Sequence, residues 1–426
     1  MILRFLYTLL WLGAAPFIVL RLVWRARRQP EYLQHLGERL GRYPQRLQRP
    51  LIWIHAVSVG ETRASAPLIQ ALLDGYPDHG VLLTHMTPTG RATGEELFGR
   101  FAPRVQSAYL PYDLPWTMRH FLRHFRPSMG ILMETEVWPN LVEACRRRHV
   151  PLALVNARMS ERSARGYRRA GPLAREAFAH LSVIAAQTES DENRMSALGA
   201  RYLKVTGNIK FDIMPPTTMQ ALGSEFRNRF GPRQVLLAAS TREGEEALLL
   251  ETFARLCPPE VLLVLVPRHP QRFQEVIRLV RKAGLNLQRR SSNDPVLADT
   301  RVWLGDSMGE MFAYYHAADV ALIGGSWLPL GGQNLIEACA VGCPVVVGPH
   351  TFNFAAAAEQ AIEAGAAVRA SDMDDGIGVA LQILQDPTRR AAMGAAGQAY
   401  AQTHRGATER TLDLITPLLR AARPHR

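Results

Sequence analysis

At 426 residues the chain is too long for one compact core, and about 150 residues per domain gives two or three domains. Hydrophobic residues at 47%, charged residues at 21% and a mean hydropathy of −0.08 exclude a mainly disordered chain and a polytopic membrane protein. A net charge of +12 fits an anionic partner (nucleic acid, phosphorylated metabolites or an anionic membrane face), and four scattered cysteines exclude a disulfide scaffold.

The first element is an uncharged apolar run over residues 5–20, with Arg4 before it and Arg21, Arg25, Arg27 and Arg28 after it. It falls short of the ~20 residues that a ~30 Å hydrocarbon core needs. Arginines after the run are the wrong flank for export and keep the bulk of the chain cytoplasmic. Tyr7, Trp11 and Trp24 suit a lipid–water boundary. Residues 1–28 therefore read as an uncleaved anchor, either a short span or a helix lying in the inner leaflet.

From residue 51 the pattern is α/β. Strands are expected at 51–56 (LIWIHA), 81–84, 130–133, 152–155 and 183–186, with helical stretches between them, one over about 62–74. The run 213–219 (IMPPTTM) breaks the alternation and reads as a linker. The alternation resumes with strands at 235–239, 261–266, 302–304, 320–323 and 344–347. This predicts two Rossmann-like doubly wound domains, 29–212 and 220–426, facing a central cleft. In such sheets ligands sit beyond the carboxyl ends of strands, so the residues just after each strand carry the chemistry.

In the first half those residues include Glu61, Glu134 and Glu136. A lone carboxylate such as Glu61 in the first turn of a helix is an ordinary dipole-favoured residue. Lys210 in TGNIKFD stands out because Lys204, Lys210 and Lys282 are the only lysines beside a large excess of arginine. Two carboxylates and one lysine suit general-base work with charge stabilisation. In the second half, STREGEE (240–246) places hydroxyls at a helix start, an anion site or a plain cap. Arg268 suits two-pronged phosphate binding. GDSMGE (305–310), GGS (324–326) and GGQNLIE (331–337) are glycine turns into helices, where N–H groups approach phosphate and a carboxylate accepts ribose hydroxyls. The second half thus reads as the nucleotide half. With no CxxC, no Cys/His cluster and no DxD-like pair at a strand end, no metal is expected. Cys339 and Cys343 read as buried small hydrophobes. No zinc-finger or RNP-type motif accompanies the charge, so nucleic acid is not expected as a partner.

The segments HAVSVGE, MTPTG, YLPYD, METEVWPN, NARMSERSARGY, TGNIKFD, STREGEE, VPRHPQRF, GDSMGEM, GGQNLIEA and GPHTFNF occur in one order. In this the chain resembles the 3-deoxy-D-manno-octulosonic acid (Kdo) transferases of lipid A assembly, from the anchor to about residue 354. The resemblance implies a GT-B type fold, a membrane-associated N-terminal helix, CMP-Kdo as donor and the tetra-acylated lipid A precursor (lipid IVA) as acceptor. It implies Glu61 as general base, Glu134 and Lys210 as transition-state stabilisers, and Pro267, Arg268, Met308, Gly309, Glu310, Asn334, Leu335, Ile336 and Glu337 as the CMP site. It further implies inverting transfer of Kdo to the 6′-hydroxyl of the acceptor at the cytoplasmic side of the inner membrane, without a cofactor or metal. Two positions depart from the family pattern, Arg242 and Gln333, where histidine is frequent. Rival readings are a GT-B enzyme using a UDP- or GDP-sugar and a two-domain binding protein for a phosphorylated ligand, with a nucleic-acid binder ranked last.

Overall fold

Short apolar strands separated by helices cannot pair as hairpins; they pair in parallel through crossovers, which cover both sheet faces with helices. A computed structural model describes residues 2–27, 29–44 and 48–421. Two units result. In the first, β1 (Leu51–His55), β2 (Gly80–His85), β3 (Val105–Tyr109), β4 (Met129–Met133), β5 (Leu152–Ala157), β6 (Val183–Ala186) and β7 (Leu203–Val205) form a parallel sheet. Its order is β3-β2-β1-β4-β5-β6-β7. In the second, the strands are β8 (Val235–Thr241), β9 (Leu262–Pro267), β10 (Leu287–Arg289), β11 (Val302–Leu304), β12 (Val320–Ile323), β13 (Val345–Val347) and β14 (Ala367–Arg369). Their order is β10-β11-β9-β8-β12-β13-β14, again parallel throughout. The expected doubly wound architecture is therefore present in both units.

Inner strands such as β1, β4 and β9 are buried at every position, as sheets covered on both faces require. Two cores flank the first sheet, one around Trp53, Phe121 and Phe125, the other around Ile54, Leu72 and Ile131. All four cysteines are free and buried.

Three boundaries differ from the sequence expectation. The first unit ends at Ile213 but takes up the chain again at Arg405, so the expected 220–426 domain stops at His404. The returning helix, Ala407–Ala421, is amphipathic and buries Ile415 and Leu419 in the first unit's core. Asp212 fixes its start, accepting from the N–H groups of Gly406 (2.7 Å) and Thr408 (2.5 Å). Helix Thr217–Phe230 begins inside the expected linker 213–219, directly after Pro216. The expected helix at 62–74 is two pieces, Val59–Ala64 and Ala66–Gly75, parted at Ser65.

The N-terminal run extends through Arg4, Arg21 and Arg25 into one helix, Ile2–Ala26, which by length and composition can cross a membrane. Arg28 of the expected basic flank lies outside the described residues. The first half of this helix is docked on the first unit. Arg4 pairs with Glu143 at 2.8 Å, Asn140 donates to Thr8 Oγ1 at 3.3 Å, and Trp11 packs on Tyr112 with ring centres 5.9 Å apart.

Candidate active site

The strand order of the first unit reverses at β1, which has β2 on one side and β4 on the other. Turns leaving these neighbours diverge and open a crevice at the carboxyl edge, the usual ligand position in such sheets. Glu61 lies in the first turn after β1 and Glu134 immediately after β4.

Ser58 caps the helix that carries Glu61, and the carboxylate reaches back to accept from Val57 N–H (2.9 Å) and Ser58 Oγ (2.9 Å). This is a capping box, the ordinary role that the sequence allows. Its electrostatics are not ordinary. Burial and the neighbouring Glu134 charge push the Glu61 carboxyl up to about 7 against the pull of those two hydrogen bonds.

Glu134 is buried, and its backbone is left-handed (φ 58°), a costly conformation for a residue with a side chain. Its carboxylate is gripped from two sides. Lys210 Nζ donates to Oε1 at 2.8 Å and Arg158 Nε to Oε2 at 2.7 Å. Burial alone raises this carboxyl, but Lys210 and Arg158 outweigh it and hold Glu134 ionised, at about 2. Two cations on one carboxylate leave the Glu134–Lys210–Arg158 cluster with one net positive charge. The structure thus brings Glu61, Glu134 and Lys210 together.

Sequence reading missed two residues here, both in NARMSERSARGY at the end of β5. Arg158 is one. The other is Asn156, fully buried and left-handed (φ 53°), at a bulge between β5 and β6. Its Oδ1 accepts from Ile209 N–H at 3.1 Å and so holds the turn Ile209–Asp212 that presents Lys210. Its Nδ2 has no hydrogen-bond partner among the described residues. Asn156 directly follows the expected strand 152–155, so the strand-end rule pointed to it. Asn156→Ala leaves the Ile209 N–H buried and unpaired, at a cost of about 1–3 kcal/mol. Chemical denaturation should show that loss together with slower turnover, and Asn156→Asp, which keeps the acceptor, should recover part of both.

In the second unit the reversal falls at β8, between β9 and β12. β8 bulges at Ser240 (φ 57°), and Gly324 passes so close that a Cβ there would lie 2.4 Å from Ser240 O. The anion site considered at 240–246 is filled by the chain itself. Glu245 accepts from the N–H groups of Arg242 (2.8 Å), Gly325 (2.7 Å) and Trp327 (3.0 Å).

Arg268 follows β9, and its Nε donates to Gln333 Oε1 at 3.2 Å. Gln333 therefore orients Arg268. Desolvation and the charges of Arg268, Arg242 and Arg272 push the His269 imidazole down to about 4, marking an electropositive corner that suits a phosphate. Asn334 Oδ1 accepts from Ile336 N–H at 3.1 Å, just at the start of helix Ile336–Val341, and its amide donates to Glu337 at 3.0 Å. Tyr315, in the helix just after Glu310, donates to Asn334 O at 3.3 Å and so links the 308–310 and 334–337 turns. Glu310 is held by Arg290 (3.1 Å) and Ser307 (2.5 Å). Met308 and Gly309 are exposed, and Gly309 has φ 82°. Pro267, Leu335 and Ile336 are buried, so their side chains belong to the core and only their backbone is offered to a ligand.

A family model described as 3-deoxy-D-manno-octulosonic-acid transferase (kdotransferase) matches residues 34–213. The 3-deoxy-D-manno-octulosonic acid transferase of Bordetella pertussis is 49% identical, covering 97% of this chain and 98% of its own. That of Haemophilus influenzae is 36% identical, covering 98% and 99%. Among solved structures, Anabaena Alr3699/HepE in complex with UDP aligns with TM-score 0.60 at 14% identity, covering 86% of this chain and 100% of its own. A glycosyltransferase from Rickettsia africae aligns with TM-score 0.60 at 10% identity, covering 88% and 100%. These two likenesses concern the fold, and they agree with the GT-B type expectation.

Proposed function

The chain belongs to the 3-deoxy-D-manno-octulosonic acid (Kdo) transferase family, and from that premise we propose that it moves Kdo from CMP-Kdo to the 6′-hydroxyl of the tetra-acylated lipid A precursor, with inversion. The enzyme is a glycosyltransferase of lipopolysaccharide assembly. The observation that carries the mechanistic reading is the Glu61 carboxyl, raised to about 7 beside an ion-locked Glu134. A base is most effective when its pKa is near the working pH. Glu61 takes the proton of the acceptor hydroxyl as its oxygen attacks the anomeric carbon. The bond from that carbon to the phosphate oxygen breaks, and CMP departs with the electron pair. Lys210 and Arg158 offset the negative charge of the donor sugar's ionised acid group or of the departing CMP. Arg268 and its electropositive corner neutralise the single phosphate. That cationic set supports transfer without a divalent metal, and activity should persist unchanged in excess EDTA.

The acceptor's acyl chains place the reaction at the inner membrane, on the cytoplasmic side in this reading. The docked Arg4, Thr8 and Trp11 favour a helix lying in the interface over one that crosses, because ion-paired and hydrogen-bonded groups are costly at a bilayer centre. Removing residues 1–28 should move the protein from the floated to the soluble fraction in vesicle flotation. The decisive assay is mass spectrometry of the lipid after incubation with CMP-Kdo and the tetra-acylated precursor. A mass gain of one or more Kdo units supports the proposal. Transfer from UDP- or GDP-sugars instead, or no transfer, removes it.

A further inference from the structure

The docked half of the N-terminal helix leaves a space on the first unit. A cavity of about 800 Å³ lies between helix Ile2–Ala26 and helices Pro115–Phe125 and Pro139–Arg147. That volume is in the ~300–1,000 Å³ range of sites that enclose small ligands. Its lining combines apolar and basic side chains. Phe5, Leu9 and Leu12 of the first helix and Trp116 of the second present apolar surface, and all four side chains are exposed. Arginines line the same cavity, Arg4 from the first helix, Arg119 from the second, and Arg147 and Arg148 from the end of the third. Arg4 and Arg147 are committed there to Glu143, at 2.8 and 2.6 Å. Arg119 and Arg148 also line the cavity, and their guanidinium groups have no hydrogen-bond or ion-pair partner among the described residues.

An apolar trough lined also by two unpaired guanidinium groups matches a molecule with a hydrocarbon tail and an anionic head. Arginine binds phosphate oxygens in a planar two-pronged geometry, and tryptophan favours the level of lipid headgroups. The trough is continuous with the exposed apolar face of the N-terminal helix, so a chain entering it need not leave a hydrocarbon environment.

We propose that this trough is a binding site for one anionic glycerophospholipid, its acyl chain along Phe5, Leu9 and Leu12 and its phosphate on Arg119 and Arg148. Such a lipid is neither donor nor acceptor. It completes the contact between the N-terminal helix and the first unit and sets the orientation of that unit on the membrane. The site stands whichever sugar the enzyme transfers.

The full-length protein in detergent, mixed with equal amounts of phosphatidylglycerol and phosphatidylcholine, tests this by native mass spectrometry. The expected result is one phosphatidylglycerol per chain, retained in preference to phosphatidylcholine. In Arg119→Glu/Arg148→Glu that retention falls about tenfold or more, whereas Arg119→Lys/Arg148→Lys keeps most of it. Both arginines lie outside the catalytic machinery, and an unchanged circular dichroism spectrum and melting temperature verify that the charge-reversed protein is folded. Equal retention of the two lipids, or retention untouched by the double reversal, overturns the proposal. So does stoichiometric displacement of phosphatidylglycerol by the tetra-acylated precursor, which would assign the trough to the acceptor.

Discussion

Glu61→Gln lowers kcat by about 10²–10⁴-fold while leaving CMP affinity, measured by calorimetry, within about twofold of the parent. Glutamine is nearly isosteric: its one oxygen can still accept from Val57 N–H, and its amide can donate to Ser58 Oγ where the carboxylate accepted, so the helix start is preserved and the base alone is lost. The parent enzyme should carry the pH signature of the same group. With the Glu61 carboxyl at about 7, the competent carboxylate declines as pH falls below that value, and log kcat/KM drops with a slope of about one. The sign of a second substitution is also determined. Glu134→Gln removes the negative charge that helps to raise Glu61, so the acid limb moves to lower pH. A profile flat from pH 5 to 9, or a Glu61→Gln enzyme at parental speed, would end the general-base assignment.

Lys210→Ala is the second large effect, a kcat loss of about 10²–10³-fold, the scale of removing one preorganised charge donor from an active site. Lys210 Nζ sits 2.8 Å from Glu134, and without it Arg158 alone compensates that buried carboxylate. The Glu134 charge is then less screened, Glu61 rises further, and the acid limb moves to higher pH, opposite to its movement in Glu134→Gln. A purely structural lysine would leave the limb in place. CMP affinity should change much less than kcat. An equal loss of both would reassign Lys210 to donor binding.

The contrast between inner and edge strands shows what the linear chain reveals. LIWIH, VLLVLV and VALI are legible as strands because a covered position excludes polar side chains over its whole length. The strands that sequence reading missed are β3, β7, β10 and β14, and these are the four edges of the two sheets. VQSAY, LKV, LQR and AVR keep partly exposed positions and so lack the apolar signature. The same reasoning explains the misplaced C-terminal boundary. A half-buried helix such as Ala407–Ala421 displays an apolar face but not the identity of the surface that receives it.

By itself the sequence determined the α/β class, the two doubly wound units, the N-terminal apolar helix and the positions of Glu61, Glu134 and Arg268 at strand ends, and it singled out Lys210 by the scarcity of lysine. These are local properties, set by apolar periodicity and by which residue follows a strand. Only the tertiary structure decided that Asn156 holds the turn of Lys210, that Arg158 shares Glu134 with it, and that Glu245 fills the turn expected to receive an anion. Each of these joins residues distant in sequence, and burial and charge separation, which fix their protonation, exist only once those segments have packed together.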